Sequence, residues 1–268
     1  MSHGLPRRHS QYGLTSSPII PGEFPDGRDK IYELAYRVWW QGNRTTSRYG
    51  ATQELTGVQL RVPSRTLVTR DKLNMSFGWM EMFQLLGGFF DPELLKRVAP
   101  NADHSLITPQ MAYGPRIQDQ MIGIIQTLTL DPLSRQAVLF IGHPDDGPTS
   151  DLPCTLTIQF LQRLEIIDAI VTMRSWDLCR GLPYDLMMFS GLLEALARCL
   201  NKTTGHIYVT AGSAHVYHGW EDKTPRTSLL KWNFKYEVPR SWLDIRDWAQ
   251  AAALDLEKGK SPLGIEIT

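Results

Sequence analysis

Apolar positions recur along this chain at two different periods, and the alternation between those periods sets out its elements. From Arg28 to Trp40 the residues Ile31, Leu34, Ala35, Val38 and Trp39 follow helical spacing, which predicts a helix. Gly42-Asn43 stops it and opens a polar loop, N-R-T-T-S-R-Y-G. Thr56 to Val68 has β-type composition, and Met75 to Leu86 reads as a buried helix with one carboxylate, Glu81, ended by Gly87-Gly88. Pro92 to Pro115 is loop-rich with short helical pieces, and Ile117 to Leu130 is helical. Strands are predicted at Ala137 to Ile141, Leu156 to Phe160, Ile166 to Met173, His206 to Thr210 and Leu229 to Tyr236. Leu186 to Leu200 is apolar all round, the mark of a deeply buried helix. Strands interleaved with helices predict an α/β (α+β) fold in a single domain over residues 29–268. Residues 1–28, rich in Pro, Gly, Ser and Arg, read as an irregular arm, and the chain shows no internal repeat.

Composition narrows the function classes. The formal net charge is zero across 268 residues, which argues against an electrostatic grip on a nucleic-acid polymer and leaves room for a small phosphorylated ligand. Cys154, Cys179 and Cys199 lack metal-ligand spacing and cannot all pair, so no metal is expected and a reduced, cytoplasmic setting is. No apolar run approaches a membrane span, and the polar start is no signal peptide.

The chemistry gathers between Asp151 and Trp220. Cys154 follows Pro153 and leads into a strand; its bland reading is a small buried hydrophobe, its sharp one a thiolate nucleophile beside cations. In R-S-W-D, Arg174 is a natural phosphate anchor with Ser175 as helper donor, against a surface ion pair between Arg174 and Asp177. The turn Gly181-Leu182-Pro183 delivers Asp185 to the start of the long apolar helix, where an acid is often no more than a cap. Glu81 stands alone in an apolar segment, a costly place for a carboxylate without a function.

Taken in order, L-P-C at Cys154, I-Q-F at Ile158 to Phe160, R-S-x-D at Arg174 to Asp177, G-L-P-Y-D at Gly181 to Asp185, F-S-G-L-L at Phe189 to Leu193 and A-G-S-A-H-V-Y at Ala211 to Tyr217 resemble the thymidylate synthase family. Upstream, Asn43-Arg44-Thr45, Leu67-Val68-Thr69 with Glu81, Tyr113-Gly114 and Asp131-Pro132 to Arg135 match as well. The resemblance implies a sandwich of helices about a mixed β-sheet, assembled as a homodimer through that sheet. Cys154, Glu81, Asp185 and Tyr113 become catalytic candidates. Arg44, Arg174 and Ser175 would hold a nucleotide phosphate, with Arg135 reaching the partner's site, while His215 and Tyr217 meet the sugar. Asp177, Gly181 and Glu81 would meet the cofactor, 5,10-methylenetetrahydrofolate, and Ile265 to Thr268 would close over the site. The implied reaction begins with Cys154 adding to C6 of a pyrimidine, which makes C5 nucleophilic toward the one-carbon unit. An exocyclic methylene follows, to be completed by water as a hydroxymethyl group or by hydride as a methyl group.

Departures from the family pattern sharpen this. Members that act on uracil carry asparagine where this chain has Asp185. Cytosine presents an N4 amino donor and an N3 acceptor, so an acid favours it. That points to the deoxycytidylate and cytidylate hydroxymethylases of bacteriophages and antibiotic pathways, with dCMP as the expected substrate. Alternatives are dCMP methylation, CMP hydroxymethylation and plain dUMP methylation. Gln84 stands where synthases keep a tryptophan, and Phe89 to Met111 holds none, so a smaller, more polar wall is expected to admit water.

Overall fold

The computed structural model describes residues 29–101, 107–108, 112–147, 152–220, 223–234, 237–260 and 263–267. The arm at 1–28 lies outside the described residues, as do Met111 and Thr268.

The first helix, α1 (Lys30–Gln41), starts where Asp29 accepts from the backbone N–H of Ile31 and Tyr32, and it buries Ile31, Leu34, Ala35 and Val38. The polar segment after it is not the expected loop. It forms β1 (Asn43–Ser47), paired antiparallel with β2 (Gly50–Pro63), with Ser47 opposite Gly50 and Arg48-Tyr49 as the two-residue turn. The strand predicted across 56–68 is broken by a turn at Ser64-Arg65 and resumes as β3 (Thr66–Thr69). Next come α2 (Met75–Gly87), α3 (Pro92–Val98), α4 (Tyr113–Leu130) and β4 (Val138–Phe140). They are followed by β5 (Thr155–Arg163), β6 (Ile166–Asp177), α5 (Leu182–Cys199), β7 (Thr203–Tyr217) and β8 (Arg226–Phe234). Last are α6 (Trp242–Glu257) and β9 (Leu263–Ile267).

Six strands form one sheet in the order β1-β2-β7-β6-β5-β4, antiparallel except for the β6–β7 pair. A second sheet, β3-β8-β9, is antiparallel throughout. The large sheet is covered on one side: on β6, Ile167, Ala169, Val171 and Met173 are buried, while Ile166, Asp168, Ile170 and Thr172 are not. The covering layer is built around α2 and α5. Gly78 lets these two helices close, since a Cβ there would sit 2.8 Å from Met187 Cε and Tyr184 Cδ1. That approach brings Glu81, three residues on, into electrostatic contact with Asp185. α2 then ends at Gly88, whose φ of 70° is the left-handed cap that the double glycine predicts.

α6 has no counterpart among the predicted elements, although its signals are present. Ser241 caps it, and Trp242, Ile245, Ala249, Ala252, Ala253 and Leu256 recur at helical spacing. It packs on α2, with Phe83 and Trp248 edge to face at 5.7 Å. Ile265 to Ile267, expected to close over the site, lie in β9 and pair with Trp232, Lys231 and Leu230 of β8. Among the described residues no helix is long and apolar enough to cross a membrane.

Candidate active site

The C-terminal ends of β6 and β7, the segment before β5 and the start of α5 enclose a cavity of about 1170 Å³. Cys154, Glu81, Asp185, Tyr113, Arg174, Ser175, Asp177, Gly181, His215 and Tyr217 all border it. Strict strand alternation fails here: Met173 to Asp177 all line the cavity, although Met173 and Trp176 are buried.

Cys154 is exposed to this space just ahead of β5. Burial of the group pushes its thiol pKa up and the Arg174 cation pulls it down, with Asp185 and Asp177 opposing and Arg48 helping. Arg174 makes no ion pair with Asp177. Its Nε donates to Pro153 O at 3.1 Å and its NH2 to Leu152 O at 2.5 Å, so it also fastens the segment carrying the thiol. Arg174→Gln is therefore expected to raise the thiol pKa further and slow alkylation of Cys154 by iodoacetamide by roughly 3- to 10-fold near neutrality. An unchanged alkylation rate would show that Arg174 does not tune the sulfur.

Tyr113 opens α4, is buried, and its hydroxyl accepts from Thr155 N at 3.3 Å, which ties α4 to the residue after the nucleophile. Burial raises its pKa, so it stays protonated. Glu81 is likewise pushed well above the usual carboxylate range, first by burial and then by Asp185. Asp177 accepts from Cys179 N and Arg180 N at 3.0 and 2.9 Å, and burial outweighs the nearby His215 to raise its pKa. His215 stands opposite Asp177 in the parallel register, and its own pKa is lowered by burial. The Tyr217 hydroxyl lies 3.3 Å from Ser47 Oγ.

Asp185 is not a cap. Its backbone N–H donates to Gly181 O at 3.0 Å, placing it inside the first turn of α5, and its Oδ2 accepts from Trp176 Nε1 at 3.1 Å. Burial lifts its pKa to about 7, against the lowering influence of the Trp176 bond.

Two expected residues lie elsewhere. Arg44 is exposed on β1 and does not border the cavity; Arg48, in the hairpin turn four residues on, does. The polar segment folds as a hairpin, and its turn is the part that reaches inward. Arg135 is exposed between α4 and β4, outside the cavity, with its carbonyl held by Gln159 Nε2 at 2.8 Å. Gln84 does not form the large cavity's wall. Both ends of its amide are bonded to the Asp91 backbone at 2.9 Å, and it lines a separate void of about 20 Å³, room for one water, that shares Glu81 and Tyr113 with the large cavity.

The far wall is aromatic and cationic. Around the Trp220 ring lie Arg70, Arg180 and Lys223 at 5.2, 5.6 and 4.2 Å from its centroid. No motif in the sequence signals this grouping, since its members come from three separate segments, with only Trp220 and Lys223 near each other in the chain. Among the described residues no cluster of His, Cys, Asp and Glu could hold a metal ion.

The sequence profile of the thymidylate synthase family matches residues 108–257, more than half of the chain. The chain belongs to the thymidylate synthase family. A thymidylate synthase from Haloferax volcanii is 28% identical over 148 residues, which is 53% of this chain and 43% of that protein. A deoxyuridylate hydroxymethyltransferase from Bacillus phage SP01 is 36% identical over 104 residues, 37% of this chain and 27% of that protein. The matched stretch thus spans less than half the length of either relative. Cys154, Arg174, Asp185 and His215 fall within the span matched to the family, while Glu81 and Arg48 precede it.

Proposed function

We propose that this chain is a one-carbon transferase acting at C5 of a cytosine nucleoside monophosphate, dCMP above all, and giving the 5-hydroxymethyl product. The observation that carries the reading is that Cys154, Glu81 and Asp185 border one cavity with the cations Arg48 and Arg174. Arg48 and Arg174, with Ser175, hold the phosphate; His215 and Tyr217 meet the sugar. Cys154 Sγ adds to C6, and Asp185 reads the base edge. Glu81, its pKa raised by burial and by Asp185, manages protons on the ring and on water.

The wall of Trp220, Tyr184, Arg70, Arg180 and Lys223 suits a flat, anionic cofactor, with Asp177 and Gly181 beside it. Methylenetetrahydrofolate, the donor this family uses, supplies the one-carbon unit when bound there. Water as the final nucleophile is supported by the water-sized void that Glu81 shares with the cavity, and by the hydroxymethyltransferase activity that names the phage relative.

A homodimer through the uncovered sheet face fits the same reading. That face leaves Phe140 and Ile166 exposed at 59% and 47%, and Arg135 stands outside its own chain's cavity, where it can serve a second copy.

One other substrate has a specific observation behind it: dUMP, the nucleotide in the phage relative's name. Incubation with methylenetetrahydrofolate and dCMP, CMP or dUMP separates these readings. Release of tritium from C5 of dCMP without a rise in dihydrofolate absorbance is expected. Release from dUMP alone would move the assignment to uracil, and an absorbance rise would move it to methylation.

A further inference from the structure

Trp176 is among the largest fully buried side chains, 1% exposed, and yet it spends its only polar group on Asp185. We propose that Trp176 is the positioning residue that fixes the donor–acceptor polarity of the Asp185 carboxyl, and through it which pyrimidine base the cavity accepts. The proposal rests on the reading that Asp185 meets the base.

A carboxylic acid is nearly symmetric. Its proton can sit on either oxygen, so it can pair with the donor–acceptor edge of cytosine or with the reversed edge of uracil. Here the symmetry is broken. The indole N–H is a donor only, and it points at Oδ2 from 3.1 Å. Oδ2 therefore stays an acceptor, and the proton, when present, belongs on Oδ1. The carboxyl then shows a ligand one acceptor and one donor in fixed places, much as an amide does, although an amide's polarity is covalent. The titratable groups around Asp185 come from every neighbouring element: Asp177 at the end of β6, Glu81 on α2, Tyr113 on α4 and Cys154 ahead of β5. The thiol and the three other acids can change how readily Asp185 ionises. The Trp176 N–H bonds the carboxyl itself, and that bond decides which oxygen carries the proton.

Trp176→Phe keeps an aromatic ring in the core and removes the N–H. Dissociation constants for dCMP and dUMP, measured calorimetrically on wild type and variant across neutral pH, test the idea. The ratio between the two nucleotides is expected to fall by about 10-fold in the variant, and the pH midpoint of dCMP binding to move upward as the stabilising bond to the carboxylate is lost. A loss of packing alone would weaken both nucleotides together and leave the ratio intact, and that result overturns the proposal. If wild type binds neither nucleotide, the base-binding reading falls and takes this one with it. Should the variant fail to fold, ¹⁵N-tryptophan labelling of the wild-type chain gives the answer. One indole resonance is expected to titrate near neutrality and to lose that dependence in Asp185→Asn; the absence of any such resonance overturns the proposal.

Discussion

Cys154→Ser is expected to reduce turnover by at least ~10⁴-fold while nucleotide binding stays close to wild type. A hydroxyl keeps nearly the shape of the thiol, so the cavity and its phosphate grip are unaffected. What is lost is an ionisable nucleophile. The sulfur is exposed to the cavity with Arg174 and Arg48 favouring its thiolate, and no equivalent ionisation is within reach of a serine near neutrality. Tritium release from C5 reports the chemistry and calorimetry the binding. Turnover within tenfold of wild type would remove the covalent step and with it the proposed mechanism.

Asp185→Asn is expected to have two large effects. The amide carries donor and acceptor permanently, so preference should move toward uracil by on the order of 10²-fold. The second effect is on stability. Asp185 has a folded-state pKa of about 7 against an ordinary value of 3.8. Between those values the folded chain holds a proton that the unfolded chain has released, so stability falls as pH rises through this window. Above it, the ionised carboxylate costs on the order of 4 kcal/mol. Asparagine carries no such cost and still accepts from Trp176. The variant should therefore match wild type below about pH 4 and exceed it increasingly from there up to neutrality, read as a urea midpoint that separates from wild type as pH is raised. Midpoints that run parallel at every pH would mean that Asp185 is not held in its neutral form.

Much of the fold is legible in the sequence because burial dictates it. α5 reads as a buried helix from its apolar run, and α2 from the same signal with Glu81 as its lone charge. Of the large sheet's strands, β5, β6 and β7 lengthen in the structure but keep their places, while β4 shortens from the expected 137–141 to Val138–Phe140. The failures have local causes. β1 is a hairpin arm with four of its five residues exposed, so its composition carries no β signal, and pairing with β2 alone makes it a strand. Only the hairpin reveals that Arg48, in its turn, borders the cavity while Arg44 on β1 does not. Of the site, the residues in the dense motifs between Cys154 and Tyr217 converge on the cavity, because strand ends and a helix start bring them there. Trp176 and the cluster around Trp220 depend on side chains meeting across elements, which neither spacing nor composition encodes.

Cys154 and Asp185 are proposed to act together on C5 of a cytosine nucleotide. Mass spectrometry of the nucleotide recovered after incubation with equal dCMP and dUMP and methylenetetrahydrofolate tests this most directly. dCMP is expected to gain one CH2O unit and dUMP to be returned unchanged; recovery of dCMP unaltered beside a modified dUMP would overturn the cytosine assignment.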